Sequence, residues 1–141
     1  HESPRRGENF VTQKIVRGAA SIGQGKTEFL ELGNLDIERD WGYAPDYVLG
    51  MWMMLQQEQA DDYILATGET HKLSDFLQLS FEYFGLDHQK HVRINPKFVR
   101  PNEPTKLRGD SSKAQNVLGW KPSVTLEQII KSMCEAAENI Y

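Results

Sequence analysis

The sequence predicts a mainly helical α/β fold with a few short strands, and three observations support this prediction. Apolar residues recur at helical spacing in four separate stretches of the chain. The candidate strands between them, EFLEL, DYILATGE and HVRIN, are short. The 141 residues are 39% hydrophobic, which is enough for one domain with its own core. So few strands cannot form a whole doubly wound sheet, and the pattern is typical of the smaller lobe of one.

The first helix is predicted from about Phe10 to Ile22, with Asn9 as its N-cap. Arg5 and Arg6 precede it on a loop, where backbone N–H groups and guanidinium groups together favour an anionic ligand. A solvated basic turn that binds nothing is the alternative that spacing alone leaves open.

The middle of the chain is predicted to hold a strand, a loop and a second helix. EFLEL is the strand, and the polar residues 33–42 form the loop. Pro45 suits a first helical position, and Asp46 lies in the first turn, where a carboxylate meets the positive end of the helix dipole. The apolar residues of this helix are predicted to form a buried face; they are Tyr47, Val48, Met51, Trp52 and Leu55.

The second half is predicted to alternate strands with helices. DYILATGE is a strand that ends at Gly68, Ser74 begins a helix, HVRIN is a short strand, and residues 98–110 are a loop. Asp110 or Ser111 caps a short helix. The last helix begins with a capping box, and its inward residues are identified by their spacing. The capping box is Thr125 with Gln128, and the inward residues are Leu126, Ile129, Met133, Ala137 and Ile140.

Composition argues against several classes of function. The net charge of −4 and a pI near 5.6 are unfavourable for a nucleic-acid binder, which needs a broad basic surface. No apolar run approaches the roughly 20 residues of a membrane span. The single Cys134 cannot form an internal disulfide, which fits a reducing compartment, so we expect a cytoplasmic protein. The first residue is His rather than Met, which favours a piece of a longer protein.

Two apparent motifs predict no chemistry. Residues 20–27, ASIGQGKT, are close to a phosphate-binding P-loop, but that loop must follow a strand and precede a helix, and here the predicted order is reversed. The histidines do not have metal-ligand spacing, and no cysteine accompanies them, so no metal site is expected. A different set of charges suits a nucleoside diphosphate, because arginines bind phosphate oxygens and a carboxylate accepts ribose hydroxyls. That set is Lys14, Arg39, Arg100 and Glu103.

Five segments resemble the GDP-mannose 4,6-dehydratase family of extended short-chain dehydrogenases/reductases. They are HESPRRGENFVTQKI, LGNLDIERDWGYAPDYV, ATGETHKLSDF, RPNEP and GDSSKAQNVLGWKPSVTLEQII. The resemblance implies that residues 1–141 are the C-terminal substrate-binding domain of an NAD(P)-binding Rossmann-fold enzyme whose N-terminal dinucleotide-binding domain is absent from this chain. It further implies NADP as cofactor, GDP-mannose as substrate, and a homo-oligomer, either a dimer or a tetramer, in the intact enzyme.

The resemblance also implies roles for individual residues. His1 and Arg6 match positions that contact NADP, whereas Val11, Lys14, Arg39, Arg100 and Glu103 match positions that hold GDP-mannose. The glycine-rich turn, the catalytic Thr and Glu and the Tyr-x-x-x-Lys pair of the family are absent, so no catalytic residue is assigned. Pro104 stands where relatives commonly carry valine. A GDP-sugar reductase or epimerase of the same family, or a non-catalytic binding module, remain the alternatives.

Overall fold

The computed structural model of the chain describes residues 1–138, which form six α-helices and five short strands. In chain order these are α1 (Val11–Gly23), β1 (Leu30–Leu32), β2 (Glu38–Arg39), α2 (Ala44–Leu55), β3 (His71–Lys72), α3 (Leu73–Tyr83), α4 (His88–His91), β4 (Val92–Ile94), β5 (Lys106–Leu107), α5 (Ser112–Leu118) and α6 (Leu126–Glu138). A 3₁₀ turn, Pro96–Phe98, follows β4. The prediction of a mainly helical α/β fold is confirmed.

The main hydrophobic core lies between α1, α3 and α6, which pack against one another. Each helix contributes a stripe of apolar side chains at the predicted spacing. The fully buried members include Ile15, Phe76, Phe81, Ile129 and Met133. Burial of one such side chain contributes about 1.5–3 kcal/mol, so these three helices carry most of the stability of the fold.

Two small sheets connect this core to the rest of the chain. β1 and β4 pair in parallel, with Leu30 opposite Val92. In the second sheet β2 is central, antiparallel to β3 and parallel to β5. The structure corrects the prediction that residues 33–42 and 98–110 are loops only, because they contain β2 and β5. A two-residue strand is too short to show the alternation of apolar and polar residues that identifies a strand in a sequence. It is defined only by its hydrogen bonds to neighbouring strands.

The helix signals were correct in kind and differed in detail. The capping box of α6 is confirmed, since Thr125 N donates to Gln128 Oε1 at 2.9 Å. Asn9 is not the N-cap of α1. A backbone bond from Phe10 N to the carbonyl of Gly7 closes a turn that makes Phe10 the cap residue. The P-loop-like segment, residues 20–27, begins within the last turn of α1, and β1 follows it, which confirms the reversed order. Ile140 lies outside the described residues.

The predicted buried face of α2 is mostly exposed. Tyr47 is buried as expected, but the other four residues of that face are not, and Trp52 is 59% exposed. The exposed apolar residues are Val48, Leu49, Met51, Trp52 and Leu55, and we call them the α2 apolar face. Helical periodicity identifies an apolar stripe but not what covers it. Within residues 1–138, α2 packs mainly on α5 and Trp120 through its opposite side.

The predicted strand DYILATGE is also wrong in this structure. Residues 60–67 have no helix or strand assignment, and Ile64 is exposed. Within the described part of the chain, residues 63–66 make no backbone hydrogen bond. The apolar composition favours a strand, but a strand requires a neighbour to pair with. The segment is therefore left without a sheet partner, and it lies beside α2, whose Gly50 approaches Leu65 closely.

Two tryptophans provide a test of this burial pattern. Trp120 is 1% exposed and donates its indole N–H to the carbonyl of Asp46 at 2.7 Å. Trp120→Ala should lower the free energy of unfolding by about 3–5 kcal/mol, because it opens a cavity and removes that bond. Trp52→Ala should change it by less than about 0.5 kcal/mol. Urea denaturation followed by circular dichroism measures both, and an equal loss in the two variants would contradict the exposed position of Trp52.

Candidate functional site

A cleft of about 570 Å³ opens beside the start of α1 and is closed by the end of β1, by β2 and by residues 97–103. Every residue that the sequence resemblance assigned to a ligand lines this cleft: His1, Arg6, Val11, Lys14, Arg39, Arg100 and Glu103. These residues span most of the chain, so the fold alone brings them together. Among them are four cations and one carboxylate, a charge balance that suits an anionic ligand with hydroxyl groups.

Arg39 and Glu103 form the central contact of the cleft wall. Arg39 Nη2 donates to Glu103 Oε1 at 2.8 Å, and Nη1 donates to the backbone carbonyls of Glu38 and Pro104. Both side chains are largely shielded from solvent. Such a charge-assisted pair is held more firmly than one on an open surface. The carbonyl of Pro104 accepts from Arg39, so the loop that contains Pro104 holds Glu103 at the cleft.

The strand that carries Arg39 is held from both sides by Glu38. Its carboxylate accepts a hydrogen bond from Thr70 Oγ1 at 2.9 Å and forms an ion pair with Lys106 Nζ at 2.8 Å. These two hydrogen bonds, the one from Lys106 above all, lower the pKa of Glu38. Because Thr70 directly precedes β3 and Lys106 belongs to β5, the contacts reinforce a sheet with very short strands.

Asp40, which follows Arg39 in the chain, joins two separate segments, residues 67–68 and Gly109. Its Oδ1 accepts hydrogen bonds from the backbone N and the hydroxyl of Thr67, at 2.9 and 2.5 Å. Its Oδ2 accepts from the backbone N of Gly68 at 2.9 Å and of Gly109 at 3.2 Å. A carboxylate can accept about four hydrogen bonds, and Asp40 already accepts four. We therefore assign Asp40 a structural role in fixing β2 and Arg39.

The other end of the cleft is formed by the first residues of the chain. The ring of His1 stacks on Tyr47, with centroids 3.7 Å apart. Glu2 is 2% exposed, accepts a hydrogen bond from Thr12 Oγ1 at 2.5 Å and lies 3.5 Å from Arg6 Nε. Burial, and after it the nearby carboxylates, raise the pKa of Tyr47 to about 12. Tyr47 therefore stays protonated at neutral pH.

Gly42 is required by this arrangement. A Cβ atom at that position would lie 2.3 Å from the hydroxyl oxygen of Tyr47. No side chain fits in that space without moving the tyrosine. The close approach keeps Tyr47 beneath His1 and thereby shapes this end of the cleft.

Comparison with known proteins identifies the family. The family model for GDP-mannose 4,6 dehydratase matches residues 1–133 of the chain. The chain belongs to this family. GDP-mannose 4,6 dehydratase 1 of Arabidopsis thaliana is 53% identical over 135 residues, which cover 96% of this chain and 37% of the relative. The human GDP-mannose 4,6 dehydratase is 42% identical over 153 residues, which cover 96% of this chain and 41% of the relative.

Solved structures show the same fold at lower identity. The structure of RMD from Pseudomonas aeruginosa complexed with NADPH aligns with a TM-score of 0.90 and 22% identity, covering 100% of this chain and 46% of that one. A dTDP-glucose 4,6-dehydratase from Bacillus anthracis in complex with NAD aligns with a TM-score of 0.80 and 14% identity. The alignment covers 96% of this chain and 41% of that one. The chain thus spans less than half the length of these proteins and of the curated family members it matches.

Several cleft residues in this family member had no signal in the sequence. Glu2 is a buried carboxylate that looked like an ordinary loop residue, and Phe98 looked like part of an exposed loop. Asp40 was visible beside Arg39, but its four donors come from distant turns. Among residues 1–138, no group of three or more His, Cys, Asp or Glu side chains is arranged to hold a metal ion. Over the same residues, no helix combines the length and apolarity of a membrane span.

Asp40→Asn tests the structural role assigned to this carboxylate. The asparagine amide replaces one carboxylate oxygen with an N–H₂ group, which cannot accept a hydrogen bond. At least one of the backbone N–H donors therefore loses its acceptor, and the free energy of unfolding should fall by about 1–3 kcal/mol. Backbone amide exchange at Gly68 and Gly109 should accelerate. Asp36→Asn, a matched change at an exposed residue, should leave both measurements unaltered. Unchanged exchange at both glycines would contradict the assignment.

Proposed function

We propose that this chain is the substrate-binding lobe of a GDP-mannose 4,6-dehydratase, which converts GDP-mannose to GDP-4-keto-6-deoxymannose with loss of water and uses NADP. The observation that supports the proposal is that the residues matched to ligand positions line one cleft. Family membership is the second support. The substrate and the reaction belong to the proposal, because the chain spans 37% of the Arabidopsis relative.

The contacts of Arg39 suit a diphosphate. A guanidinium has five N–H donors. Three of them are used by Glu103 and the carbonyls of Glu38 and Pro104, which leaves two. In the proposal these two donors and the exposed guanidinium of Arg100 bind the phosphate oxygens. Arg39 is already fixed before the ligand arrives, so little side-chain entropy is lost on binding.

Glu103 and Lys14 suit the nucleoside. One carboxylate oxygen of Glu103 accepts from Arg39, and the other is available for ribose hydroxyls. We assign Lys14 to the base, because guanine presents two acceptors, O6 and N7, where adenine presents a donor in place of O6. Val11 lies one helical turn from Lys14 and provides apolar contact on the same wall.

The start of the chain suits a nicotinamide cofactor. His1 is held by its stacking on Tyr47, and the Arg6 guanidinium is partly exposed at the cleft, where it suits a phosphate or another anionic group. In the proposal both residues contact NADP, which when bound supplies hydride transfer. The residues of this chain bind and orient the sugar nucleotide, and no proton-transfer role is assigned to any of them.

The proposal includes a second, dinucleotide-binding domain, as in the longer relatives. The α2 apolar face and the strand-like residues 62–66 support it, because both are features that a neighbouring sheet and helix layer would cover. Within the proposal the intact enzyme is a cytoplasmic homo-oligomer, a dimer or a tetramer. This last part rests on the resemblance alone.

Arginine substitutions test the diphosphate site. Arg39→Met and Arg100→Met should each weaken GDP binding by at least about tenfold, because each removes charge-assisted hydrogen bonds worth about 1.5–3 kcal/mol. Isothermal titration calorimetry measures the effect. Lys90→Met, a matched loss of an exposed cation on α4 outside the cleft, should leave the affinity unchanged. Arg100→Met is easier to interpret, because Arg39 also holds Glu103 in place. Unchanged GDP affinity in Arg100→Met would reject the assignment of Arg100 to the diphosphate.

The reaction is tested by joining this chain to the N-terminal portion of the Arabidopsis relative. We expect GDP-mannose and NADP to yield GDP-4-keto-6-deoxymannose, identified by mass spectrometry as a product lighter by one water. The 141-residue chain alone should show no turnover. Epimerisation or reduction of a GDP-sugar without water loss would favour the other family activities. GDP binding by the chain with no turnover in the joined protein would favour a non-catalytic module.

A further inference from the structure

Phe98 is an apolar ring left half exposed inside a cleft that is otherwise rich in charge. It ends the 3₁₀ turn that follows β4, is 48% exposed and lines the cleft wall. The ammonium of Lys14 lies 4.1 Å from the centroid of its ring. A cation at this position is attracted to the electron-rich face of the ring, so that face is turned toward the part of the cleft that Lys14 occupies.

The backbone holds this ring in place. Asn95 N donates to the carbonyl of Leu32 at 2.8 Å, and Phe98 N donates to the carbonyl of Asn95 at 3.0 Å. At Gly33 a Cβ atom would lie 2.5 Å from the carbonyl oxygen of Phe98. The turn is thus seated directly on the end of β1, and the absence of a side chain at Gly33 permits that approach. A ring on so fixed a backbone is pre-organised for a planar ligand.

The position of Phe98 along the cleft indicates which part of a sugar nucleotide it meets. Arg6 lies over Phe10 at the start of α1, and Lys14 follows Phe10 by four residues, or about 6 Å along the helix axis. The proposed cofactor residues are therefore at one end, and Lys14 with Phe98 is farther along. In a nucleoside diphosphate sugar the reacting sugar and the base occupy opposite ends of the diphosphate. The base then belongs at Phe98.

We propose that Phe98 is the stacking surface for the purine base of the bound nucleoside diphosphate. This inference rests on the proposed function and deepens it by assigning a contact for the base. The base lies flat on the ring face that Lys14 covers when no ligand is bound. The ammonium moves to the edge of the base, where O6 and N7 of guanine accept its hydrogen bonds. Stacking supplies affinity for any purine, and Lys14 supplies the preference for guanine.

The two contributions are separated by calorimetric titration of the chain with GDP, ADP and inorganic pyrophosphate. Phe98→Leu should weaken GDP and ADP alike, by at least about fivefold, because stacking is tolerant of base identity. It should leave pyrophosphate binding unchanged. Phe98→Tyr keeps the ring and should bind GDP as the parent chain does. Lys14→Met should weaken GDP and leave ADP unchanged.

Phe10 provides the matched control. It is also a half-exposed phenylalanine in the cleft with a cation over its ring, but it lies at the other end. Phe10→Leu should leave GDP affinity unchanged. Wild-type affinity for GDP in Phe98→Leu would overturn the inference. An equal loss of pyrophosphate binding would also overturn it, because the substitution would then act on the loop that carries Arg100 rather than on the base. If the parent chain binds no GDP at all, the proposed function itself fails.

Discussion

The ion pair between Arg39 and Glu103 is the contact on which the cleft depends. It joins residues 64 positions apart and closes a wall between β2 and the loop before β5. The neighbours of Arg39 act with it, because Glu38 binds Thr70 and Lys106, and Asp40 binds residues 67–68 and Gly109. A three-residue segment with little regular structure is thereby fixed through side-chain bonds. These bonds replace the long backbone ladder that a two-residue strand lacks.

The hydrophobic core and the candidate ligand site adjoin each other, because the core residues Leu32, Ile37, Trp41 and Leu73 also line the cleft. α1, α3 and α6 form the core with the usual helical stripes, and of these helices the start of α1 and Leu73, the first residue of α3, reach the cleft. The site is therefore built on loops and very short strands that a rigid helical layer supports, a common division in binding proteins. The buried Glu2 and the stacked pair of His1 and Tyr47 extend this support to the first residues of the chain.

In the function proposed above, this chain supplies binding and orientation rather than reactive groups. Charged side chains that are fixed before the ligand arrives lower the entropic cost of binding and place the sugar for reaction. The α2 apolar face is consistent with this division of labour. In the proposal it is the side that a second domain covers, and it lies apart from the residues that line the cleft.

The sequence by itself predicted the longer helices and the family, but not the single-turn helix α4. The spacing in α1, α3 and α6 and the capping box at Thr125 are local signals, and local signals suffice for a helix because its hydrogen bonds are local. The sequence also named the seven candidate ligand residues: their charges singled out Lys14, Arg39, Arg100 and Glu103, and the resemblance supplied all seven. Only the tertiary structure decided that they share one cleft, because their convergence depends on contacts between distant segments. It also decided that the apolar stripe of α2 is exposed and that residues 62–66 are unpaired, since burial and strand pairing are properties of neighbours rather than of the segment itself.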